Sequence, residues 1–487
     1  MMILALAVTS CQDSLTVLPE NNQSTSQFWK TKEEVEAVLC GGYWKIRDAQ
    51  ENIMLWGEAR GNGINFGTST NTLSSAAQKL RQYDILATND LAKWDKIYEV
   101  INSANAVIKF GPTVNDPSLN VSVMNSFISE AYFQRALAYF YLVRTWKDVP
   151  FVTEPYVNDA APYTIAKNNG EDILRSCLID LNNGLEASKT KFPESNLDNP
   201  INTKGRATKW AIYSLIADIN LWLGNYDACI PACEAVVNSG RVGLIGGANW
   251  FTNFYPGNSN ESIFELQYSY TLNQTNSFLS WFSATSPYYT ISPYQQALYE
   301  AEPLDIRGLN SSYTASDSKI WKYIGIKTFT GSTDTRATTQ NDQNWIIYRL
   351  ADIYLMEAEA YAMKGDSASM INSLALVNKI RVRAGLQAST GSSDKLDMMK
   401  IILQERQREF FCEGKNWFDL VRIGNRSEEG FKDFFIDQEI QVASASTNGM
   451  IRAILEDKNS WYMPIHSDEL KTNNLLVQNP YYANLGN

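Results

Sequence analysis

Three glutamates recur at four-residue steps in the stretch ILQERQREFFCEG, at Glu405, Glu409 and Glu413. On a helix this spacing places their carboxylates on one face. Paired carboxylic acids are the catalytic groups of glycoside hydrolases, so this face is a candidate for acid–base chemistry. Arg406 and Arg408 lie among the glutamates and offer the alternative, an ion-paired structural role. Spacing alone leaves both interpretations open.

The single histidine and two cysteines are the next residues whose types could do chemistry. His466 lies in the stretch Pro-Ile-His-Ser-Asp, but a Ser–His–Asp triad needs an imidazole that an acid orients toward a serine. Nothing in the sequence indicates such an arrangement, and we predict a solvated turn residue. Cys229 and Cys233 have no companion cysteine or histidine to complete a metal site. We predict buried thiols there, no metal site and no cofactor.

Aromatic residues in loop-like stretches indicate binding rather than catalysis. The chain has 13 Trp and 25 Tyr, and aromatics crowd with Gly, Asn, Ser and Thr between residues 241 and 344, where helical periodicity fades. A sugar ring stacks its apolar C–H face on Trp or Tyr, while neighbouring amides and charged groups bond its hydroxyls. We predict a ligand platform that contains Asn65, Phe66, Trp281, Tyr288, Tyr289, Trp321 and Tyr323. The alternative for each residue is packing beneath the long loops.

Helices must position these loops. Around Gly224 and Gly365 the chain repeats one pattern, in which an alanine stands seven residues before the glycine and apolar residues follow it at matching offsets. This is the helix–turn–helix signature of a tetratricopeptide-type repeat. Both glycines are expected to adopt a left-handed conformation at helix ends. We therefore predict a mostly α fold, a tetratricopeptide-like helical solenoid with a large loop-rich subregion.

The same patterns predict the domain organisation. A helical scaffold occupies about residues 31–240 and 345–424, a loop-rich ligand-face insertion occupies about 241–344, and the segment 425–487 completes a single unit that begins at residue 12. Helices are expected to open at Thr31, after the cap Asp90 and from Trp345 onward, with loops over 56–90. The alternating run SIFELQYSY is a candidate strand.

The beginning of the chain predicts export. Residues 1–10 resemble the apolar region of a signal peptide, and Val8-Thr9-Ser10-Cys11 matches a bacterial lipobox. We predict acylation of Cys11 and a lipid anchor. A net charge of −11 argues against nucleic acid as a partner. No later run approaches the roughly 18 apolar residues that a membrane-spanning helix needs.

Four motifs follow one another along the chain. The first is Cys11 with the downstream segment FWKTKEEVEAVLCGGYWKIRD, and the second is SEAYFQRALAYFYLVRTWKDVPFV. The third and most specific is ILQERQREFFCEGKNWFDLVRIG, and the fourth is the tail WYMPIHSDELKTNNLLVQNPYY. Together they resemble the SusD/RagB family of outer-membrane glycan-binding lipoproteins, although Tyr481 stands where that family usually has glycine. The resemblance covers nearly the whole chain, but none of these motifs is a sugar site.

The resemblance implies a fold and a function. It implies an eight-helix scaffold of four tetratricopeptide-like pairs, in which Glu405, Glu409 and Glu413 are structural and tie their helix to Arg422 or Arg383. It implies a non-catalytic lipoprotein at the cell surface of the outer membrane. The implied partners are an oligosaccharide or polysaccharide and a SusC-like TonB-dependent transporter that receives it. The alternatives are surface capture of a peptide or another nutrient, and a glycoside hydrolase.

Overall fold

The computed structural model describes residues 28–67, 72–157, 164–194, 197–282, 287–441 and 443–483, and these residues are mainly helical. The helices are α1 (Lys32–Asp48), α2 (Gln50–Glu58), α3 (Thr72–Arg81), α4 (Asp95–Phe110), α5 (Val121–Trp146), α6 (Gly170–Gly184), α7 (Pro200–Gly205), α8 (Lys209–Trp222), α9 (Tyr226–Val237), α10 (Phe278–Phe282), α11 (Pro293–Glu300), α12 (Leu350–Lys364), α13 (Ser367–Arg383), α14 (Lys395–Glu409), α15 (Asn416–Gly424), α16 (Phe431–Ile440), α17 (Asn448–Leu455), α18 (Ser467–Thr472) and α19 (Pro480–Ala483). The strands are β1 (Ile64–Phe66), β2 (Val149–Pro150), β3 (Lys167–Asn168), β4 (Pro193–Glu194), β5 (Leu197–Asp198), β6 (Ser262–Leu266), β7 (Tyr289–Ile291) and β8 (Trp345–Arg349).

Eight helices build the scaffold as four successive pairs. Helix α1 packs on α4, α5 on α6, α8 on α9 and α12 on α13. The pairs are joined where α4 packs on α5, α6 meets α8, and α9 packs on α12. This arrangement confirms the predicted tetratricopeptide-like scaffold of four helix pairs.

Two glycines make the predicted turns between paired helices. Gly224 follows α8 with φ of +75°, and Gly365 follows α12 with φ of +77°. Both values lie in the left-handed region, where a side chain clashes with the backbone. After the second turn, the Asp366 carboxylate accepts a hydrogen bond from the Ser369 amide at 3.0 Å and caps α13. The predicted helix hairpins are confirmed.

Helix beginnings were predicted with mixed success. Thr31 caps α1, since its hydroxyl accepts from the Glu34 amide while the Glu34 carboxylate accepts from the Thr31 amide. The expected cap at Asp90 is wrong, because Asn89 caps a short 3₁₀ turn there and α4 begins only at Asp95. The loop expected over 56–90 also contains the end of α2 and the whole of α3.

The predicted helix from Trp345 onward begins five residues too early. Trp345–Arg349 is strand β8, which pairs antiparallel with β6, and α12 starts at Leu350. All five residues of β8 are buried, and a short apolar run fits a buried strand as well as a helix. Strand β6 lies in the run SIFELQYSY, so the strand predicted there is confirmed.

The insertion between residues 241 and 344 consists mostly of loops, as predicted, with only short helices and strands. It carries β6 and β7, which pair with strands outside the insertion: β6 with β8 and β7 with β1. One hydrophobic core runs from Ile46 in α1 through the insertion to Tyr482 in α19. The loops are therefore packed on the scaffold as an ordered layer.

The C-terminal segment packs against the first half of the chain. The Arg60 guanidinium donates to the carbonyls of Ser460 and Trp461, at 2.7 Å each. The Trp146 indole donates to the Pro464 carbonyl at 2.9 Å. These buried contacts join residues that stand hundreds of positions apart in the sequence.

Within the part of the chain that the structure describes, no helix is both long and apolar enough to cross a membrane. The 26-residue helix α5 is long enough, but it carries Glu130, Arg135 and Arg144 among its buried residues. Glu130 pairs with Arg206 at 2.8 Å, and Arg135 pairs with Asp180 at 2.7 Å.

Candidate functional site

The three glutamates that could have been catalytic are buried in ion pairs. Glu405 and Glu409 are fully buried and Glu413 is 3% exposed. Arg307 pairs with Glu405 at 2.6 Å and with Glu409 at 2.7 Å, and Arg349 pairs with Glu413 at 2.8 Å. No substrate can reach these carboxylates in this conformation, and their arrangement supports the structural interpretation.

Electrostatics keep Glu409 and Glu413 ionised. Burial alone would raise the pKa of Glu409, but Arg383, Arg349 and Arg307 together hold it well below its usual range. Burial likewise opposes ionisation of Glu413, while Arg349 and Lys322 lower its pKa. A general acid needs a raised pKa, so these shifts have the wrong direction for that role.

The expected tie of this helix to Arg422 or Arg383 is confirmed through Arg383, which pairs with Glu409. Arg422 binds Glu359 and Asp419 instead.

These ion pairs belong to a larger cluster that joins the loop insertion to the scaffold. The buried ion cluster consists of Glu261, Asp305, Arg307, Lys322, Arg349, Arg383, Glu405, Glu409 and Glu413. Lys322 lies in the insertion, and its ammonium donates to Glu413 at 2.5 Å and to the Phe411 carbonyl at 3.0 Å. The cluster therefore fixes the loops that follow residue 300 against α14.

The histidine and the paired cysteines also have structural surroundings. His466 is 5% exposed, which corrects the prediction of a solvated residue. Its Nδ1 accepts the Asp468 amide at 3.2 Å and caps α18, so that nitrogen is not available as a general base. Cys229 and Cys233 are free and buried, as predicted. Among the described residues no group of three or more His, Cys, Asp or Glu is arranged to hold a metal ion.

A small sheet brings together part of the predicted platform. Strands β1 and β7 pair antiparallel, with Asn65 opposite Thr290 and Phe66 opposite Tyr289. Lys319 bridges to the other side of Thr290, which adds a third extended segment. Directly paired residues point to the same side of a sheet. Asn65, Thr290 and Lys319 therefore form a row across one side.

This row is the accessible side of the sheet. Tyr288 stands two residues before Thr290 and shares its side, because its carbonyl continues the ladder by accepting from the Gly67 amide at 2.9 Å. Asn65 is exposed, and Tyr288, Thr290 and Lys319 are partly exposed. We call these four residues the β1–β7 face. It combines an aromatic ring with an amide, a hydroxyl and an ammonium group, and the ammonium is 2.8 Å from the Asp317 carboxylate.

The other side of the sheet packs on the core. Ile64, Tyr289, Ile291 and Ile320 are at most 3% exposed. Phe66 is half-buried, with its ring edge-to-face against Tyr289 at 5.6 Å between centroids. Phe66 therefore lies at the rim of the β1–β7 face, although its side chain starts from the inner side.

Four predicted platform residues lie in the core, and their prediction as exposed stacking surfaces is wrong. Trp281, Tyr289, Trp321 and Tyr323 are 3%, 0%, 3% and 1% exposed. Trp281 packs on Tyr289 at 5.6 Å between ring centroids.

The side chains of Trp321 and Tyr323 also contact other protein groups. Trp321 packs on Phe329 at 4.8 Å between ring centroids, and its indole donates to the Lys327 carbonyl. Tyr323 stacks on Phe278 at 4.8 Å. Protein groups thus cover the ring faces that a sugar would need.

Thr290 and Lys319 are the members of the β1–β7 face that were not predicted. The stretch YYTI carries a signal for the first, since alternation in a strand places Tyr288 and Thr290 on one side and Tyr289 on the other. No local signal identifies Lys319, because its position depends on pairing with a distant strand. Cys11, the predicted lipidation site, lies outside the described residues.

Comparisons with known proteins agree with this fold. The family profile described as "SusD family" matches residues 268–482, and the one described as "Starch-binding associating with outer membrane" matches residues 14–221. A SusD-like protein of Bacteroides ovatus is 27% identical over 464 residues, covering 86% of this chain and 80% of that protein. A SusD-like protein of Formosa agariphila is 25% identical over 488 residues, covering 88% and 91%.

Solved structures show the same architecture. The crystal structure of a SusD superfamily protein from Bacteroides thetaiotaomicron matches with a TM-score of 0.74 and 21% identity, covering 94% of this chain and all of that one. A "Laminarin binding SusD-like protein" matches with a TM-score of 0.72 and 20% identity, covering 93% and 100%. The class defined by this scaffold is the tetratricopeptide-like SusD fold. The two family profiles together span most of the chain, which belongs to the SusD/RagB family.

Proposed function

We propose that this protein captures oligosaccharides at the β1–β7 face on the outer-membrane surface and delivers them to a TonB-dependent transporter. The observation that carries the proposal is the partly exposed side chain of Tyr288 beside the polar row of Asn65, Thr290 and Lys319. The family profile described as starch-binding and outer-membrane-associated supports it, as does the structural neighbour named for binding laminarin.

The β1–β7 face has the chemistry that sugar recognition needs. The Tyr288 ring offers an apolar surface for the C–H groups of a pyranose. A contact of some tens of Å² contributes on the order of 1–2 kcal/mol at about 25 cal/mol per Å². Asn65 can donate and accept hydrogen bonds, and Thr290 adds a hydroxyl that does both. The half-buried ring of Phe66 extends the apolar rim.

We infer that the protein acts without catalysis. The glutamates with the spacing of a hydrolase pair are paired with Arg307, Arg349 and Lys322 and are closed off from solvent. The β1–β7 face itself presents no carboxylate pair among its four residues. Its polar groups suit binding of neutral hydroxyls rather than protonation of a glycosidic oxygen.

Single substitutions test the site. Tyr288→Ala is expected to weaken oligosaccharide binding roughly tenfold, which corresponds to about 1.4 kcal/mol. Asn65→Ala should weaken it as well, because a hydrogen-bonding group is lost. Tyr270→Ala is the matched control, since Tyr270 is 45% exposed and lies outside the β1–β7 face. Calorimetry and affinity electrophoresis against starch and laminarin oligosaccharides measure the affinities, and a thermal melt checks each fold.

The results discriminate between sites and ligands. Equal affinities for Tyr288→Ala, Asn65→Ala and Tyr270→Ala would place the glycan site elsewhere. Peptide binding that depends on Tyr288, with no glycan binding, would favour capture of another nutrient. Glycan cleavage by the purified protein would contradict the non-catalytic role.

The anchor can be tested through Cys11. With a complete signal peptide, the wild-type protein is expected to be acylated and to fractionate with the outer membrane, and Cys11→Ala should lose both properties. Metabolic labelling with a clickable fatty acid measures acylation directly. Membrane fractionation that is unchanged in Cys11→Ala would exclude this anchor.

Delivery to a transporter is tested with the anchored protein in outer membranes. A TonB-dependent transporter should co-purify with the wild-type protein after mild detergent extraction. Uptake of labelled oligosaccharide should fall in cells that carry Tyr288→Ala. Uptake that is the same with and without this protein would contradict delivery.

A further inference from the structure

A second cleft lies apart from the β1–β7 face, between helix α7 with the start of α8 and the chain that leads into β6. Its volume is about 280 Å³, close to the lower end of the roughly 300–1,000 Å³ of small-molecule sites. Lys191, Lys204 and Arg241 line it, together with Trp210, Asn258 and Asn260. None of its described lining residues belongs to the β1–β7 face, and none is an Asp or Glu.

The positive charge of this region contrasts with the whole chain. Between Lys189 and Lys209 the sequence has five basic and two acidic residues, a net charge of +3, whereas the chain carries −11. The Lys191 and Arg241 side chains form no ion pair with another described residue. Two cations that the described part of the protein does not neutralise therefore face one cleft.

Hydrogen bonds hold the side chains of Trp210, Asn258 and Lys204 in place. The Trp210 indole donates to the Thr190 carbonyl at 3.2 Å, which orients its half-buried ring. Asn258 exchanges two amide hydrogen bonds with Gln267, at 3.1 and 2.9 Å. Lys204 donates to the Ser262 carbonyl of β6. An oriented aromatic ring beside a fixed amide and two cations without an ion-pair partner in the described residues is suited to a sugar that carries a negative charge.

We propose that the cleft binds an anionic sugar unit, a uronate or a sulfate ester, of a glycan. Lys191 and Arg241 would pair with the carboxylate or sulfate oxygens, since guanidinium and ammonium groups form charge-assisted hydrogen bonds with both. Trp210 would contact the C–H face of the ring, and Asn260 would bond its hydroxyls. This inference rests on the proposed glycan-binding function but concerns a separate site.

The experiment compares charged glycans with their neutral forms on the full-length protein. Calorimetry uses an oligogalacturonate and its methyl ester in one arm, and a sulfated galactan oligosaccharide and its desulfated form in the other. The charged form of at least one pair should bind fivefold or more tightly, and the preference should shrink as salt is raised. The arm that shows the preference identifies the anionic group.

Charge-removing variants locate the effect. Lys191→Gln and Arg241→Gln are each expected to lower affinity for the charged glycan at least threefold and to leave the neutral form unaffected. Lys79→Gln is the matched control, because Lys79 is exposed and does not line the cleft. If Lys191→Gln and Lys79→Gln lowered the affinity for the charged glycan equally, the net charge of the protein would explain the effect, and the proposal would be overturned.

Further outcomes separate this proposal from the proposed function. Binding of neutral glycans through Tyr288 with no preference for charge contradicts the cleft alone, and absence of any glycan binding contradicts both. Charge preference that persists in Tyr288→Ala supports the cleft as an independent site. The protein could instead bind phosphatidylglycerol vesicles through Lys191 and bind no charged glycan. In that case Lys191→Gln would abolish vesicle binding, the cations would contact membrane lipid, and the proposal would be overturned.

Discussion

Glu409 is surrounded by Arg307, Arg349 and Arg383 in the core, and its charge is what allows these three cations to be buried together. Glu409→Gln should therefore lower the free energy of unfolding by about 3–5 kcal/mol, the usual cost of breaking a buried ion pair. Glycan affinity of the folded fraction should not change. Urea unfolding at pH 7 and calorimetry measure the two quantities.

A surface ion pair serves as the control for this substitution. Glu171 pairs with Arg175 at 3.1 Å with both side chains more than half exposed, so Glu171→Gln should cost no more than about 1 kcal/mol. Loss of glycan binding in Glu409→Gln with unchanged stability would contradict the structural role and make these carboxylates candidate ligands for the glycan.

The raised pKa of Glu58 predicts that stability depends on pH. Its Oε1 accepts the amides of Gly414 and Lys415, and burial raises its pKa from 4.5 to about 8. The folded state then keeps a proton that the unfolded chain releases, so stability falls as pH rises from about 4.5 to 8, by up to about 1.4 kcal/mol per pH unit. Burial of Glu439 raises its pKa to about 7 and acts in the same direction.

Glutamine imitates the protonated carboxyl and should remove this dependence. Glu58→Gln is expected to be more stable than the wild type above pH 8 and to lose less stability between pH 5 and 8. Chemical unfolding at four or five pH values measures both slopes. Parallel slopes in the two proteins would show that Glu58 is ionised in the folded state.

The residue types of the candidate site could be predicted, but their exposure could not. Asn65 is exposed and Tyr288 is partly exposed, and their role in binding stays a prediction. Tyr323 has the same kind of sequence neighbourhood, yet Phe278 and Trp345 cover its ring from other segments. Exposure of a loop aromatic depends on which distant side chains pack on it, and the composition of one segment does not contain that information.

At the scale of elements, the turn glycines can be tested against a helical glycine. Gly224 has a φ of +75°, and the nearest atom to a Cβ added there would be a guanidinium nitrogen of Arg426, at 3.4 Å. Because that distance is an ordinary contact, Gly224→Ala should destabilise by about 1–2 kcal/mol through backbone strain alone. Gly41 lies inside α1 with nothing within 4 Å of a Cβ, so Gly41→Ala should stabilise by up to about 1 kcal/mol.

Thermal and chemical unfolding of both glycine variants provide the measurement. Opposite signs are the expected result, because one residue occupies a left-handed turn and the other a regular helix. Equal effects of the two substitutions would contradict the assignment of Gly224 to a left-handed turn.

Element type was predictable where periodicity was long and failed where it was short. Helices α8 and α9 flank Gly224 as the repeated pattern predicted, over 14 and 12 residues. Strand β8 has five buried residues followed directly by helix α12, and the boundary residue Arg349 makes no side-chain cap that would mark the start of a helix. The strand exists because β6 pairs with it, which is a tertiary cause.

At the scale of the whole molecule, the shared core predicts cooperative unfolding. Trp461 is 1% exposed, its indole donates to the Leu455 carbonyl, and its own carbonyl accepts from Arg60 near the other end of the scaffold. Trp461→Ala should cost about 3–5 kcal/mol through the cavity that it leaves. In the wild type and the variant, helix content and tryptophan fluorescence should be lost in one coincident transition.

Two separate unfolding transitions would contradict cooperative unfolding. If Trp461→Ala uncoupled the C-terminal segment without affecting the first helices, two transitions would appear, and the early one would leave most of the helical signal intact. The comparison variant Trp44→Ala removes a ring that is 54% exposed and should shift the midpoint little.

The contact between Arg60 and the carbonyls of Ser460 and Trp461 also constrains when the protein can fold. Synthesis and export proceed from the N-terminus, so α1 to α5 leave the ribosome long before the segment that completes their packing. The early helices can form locally, but their final contacts wait for almost the entire chain. These contacts form late, because the entropy of closing such a long loop must be lost before the contacts stabilise the chain. A chain that stalls during export would therefore present an unfinished N-terminal half, with Trp146 and Arg60 still lacking their C-terminal partners, to periplasmic chaperones and proteases.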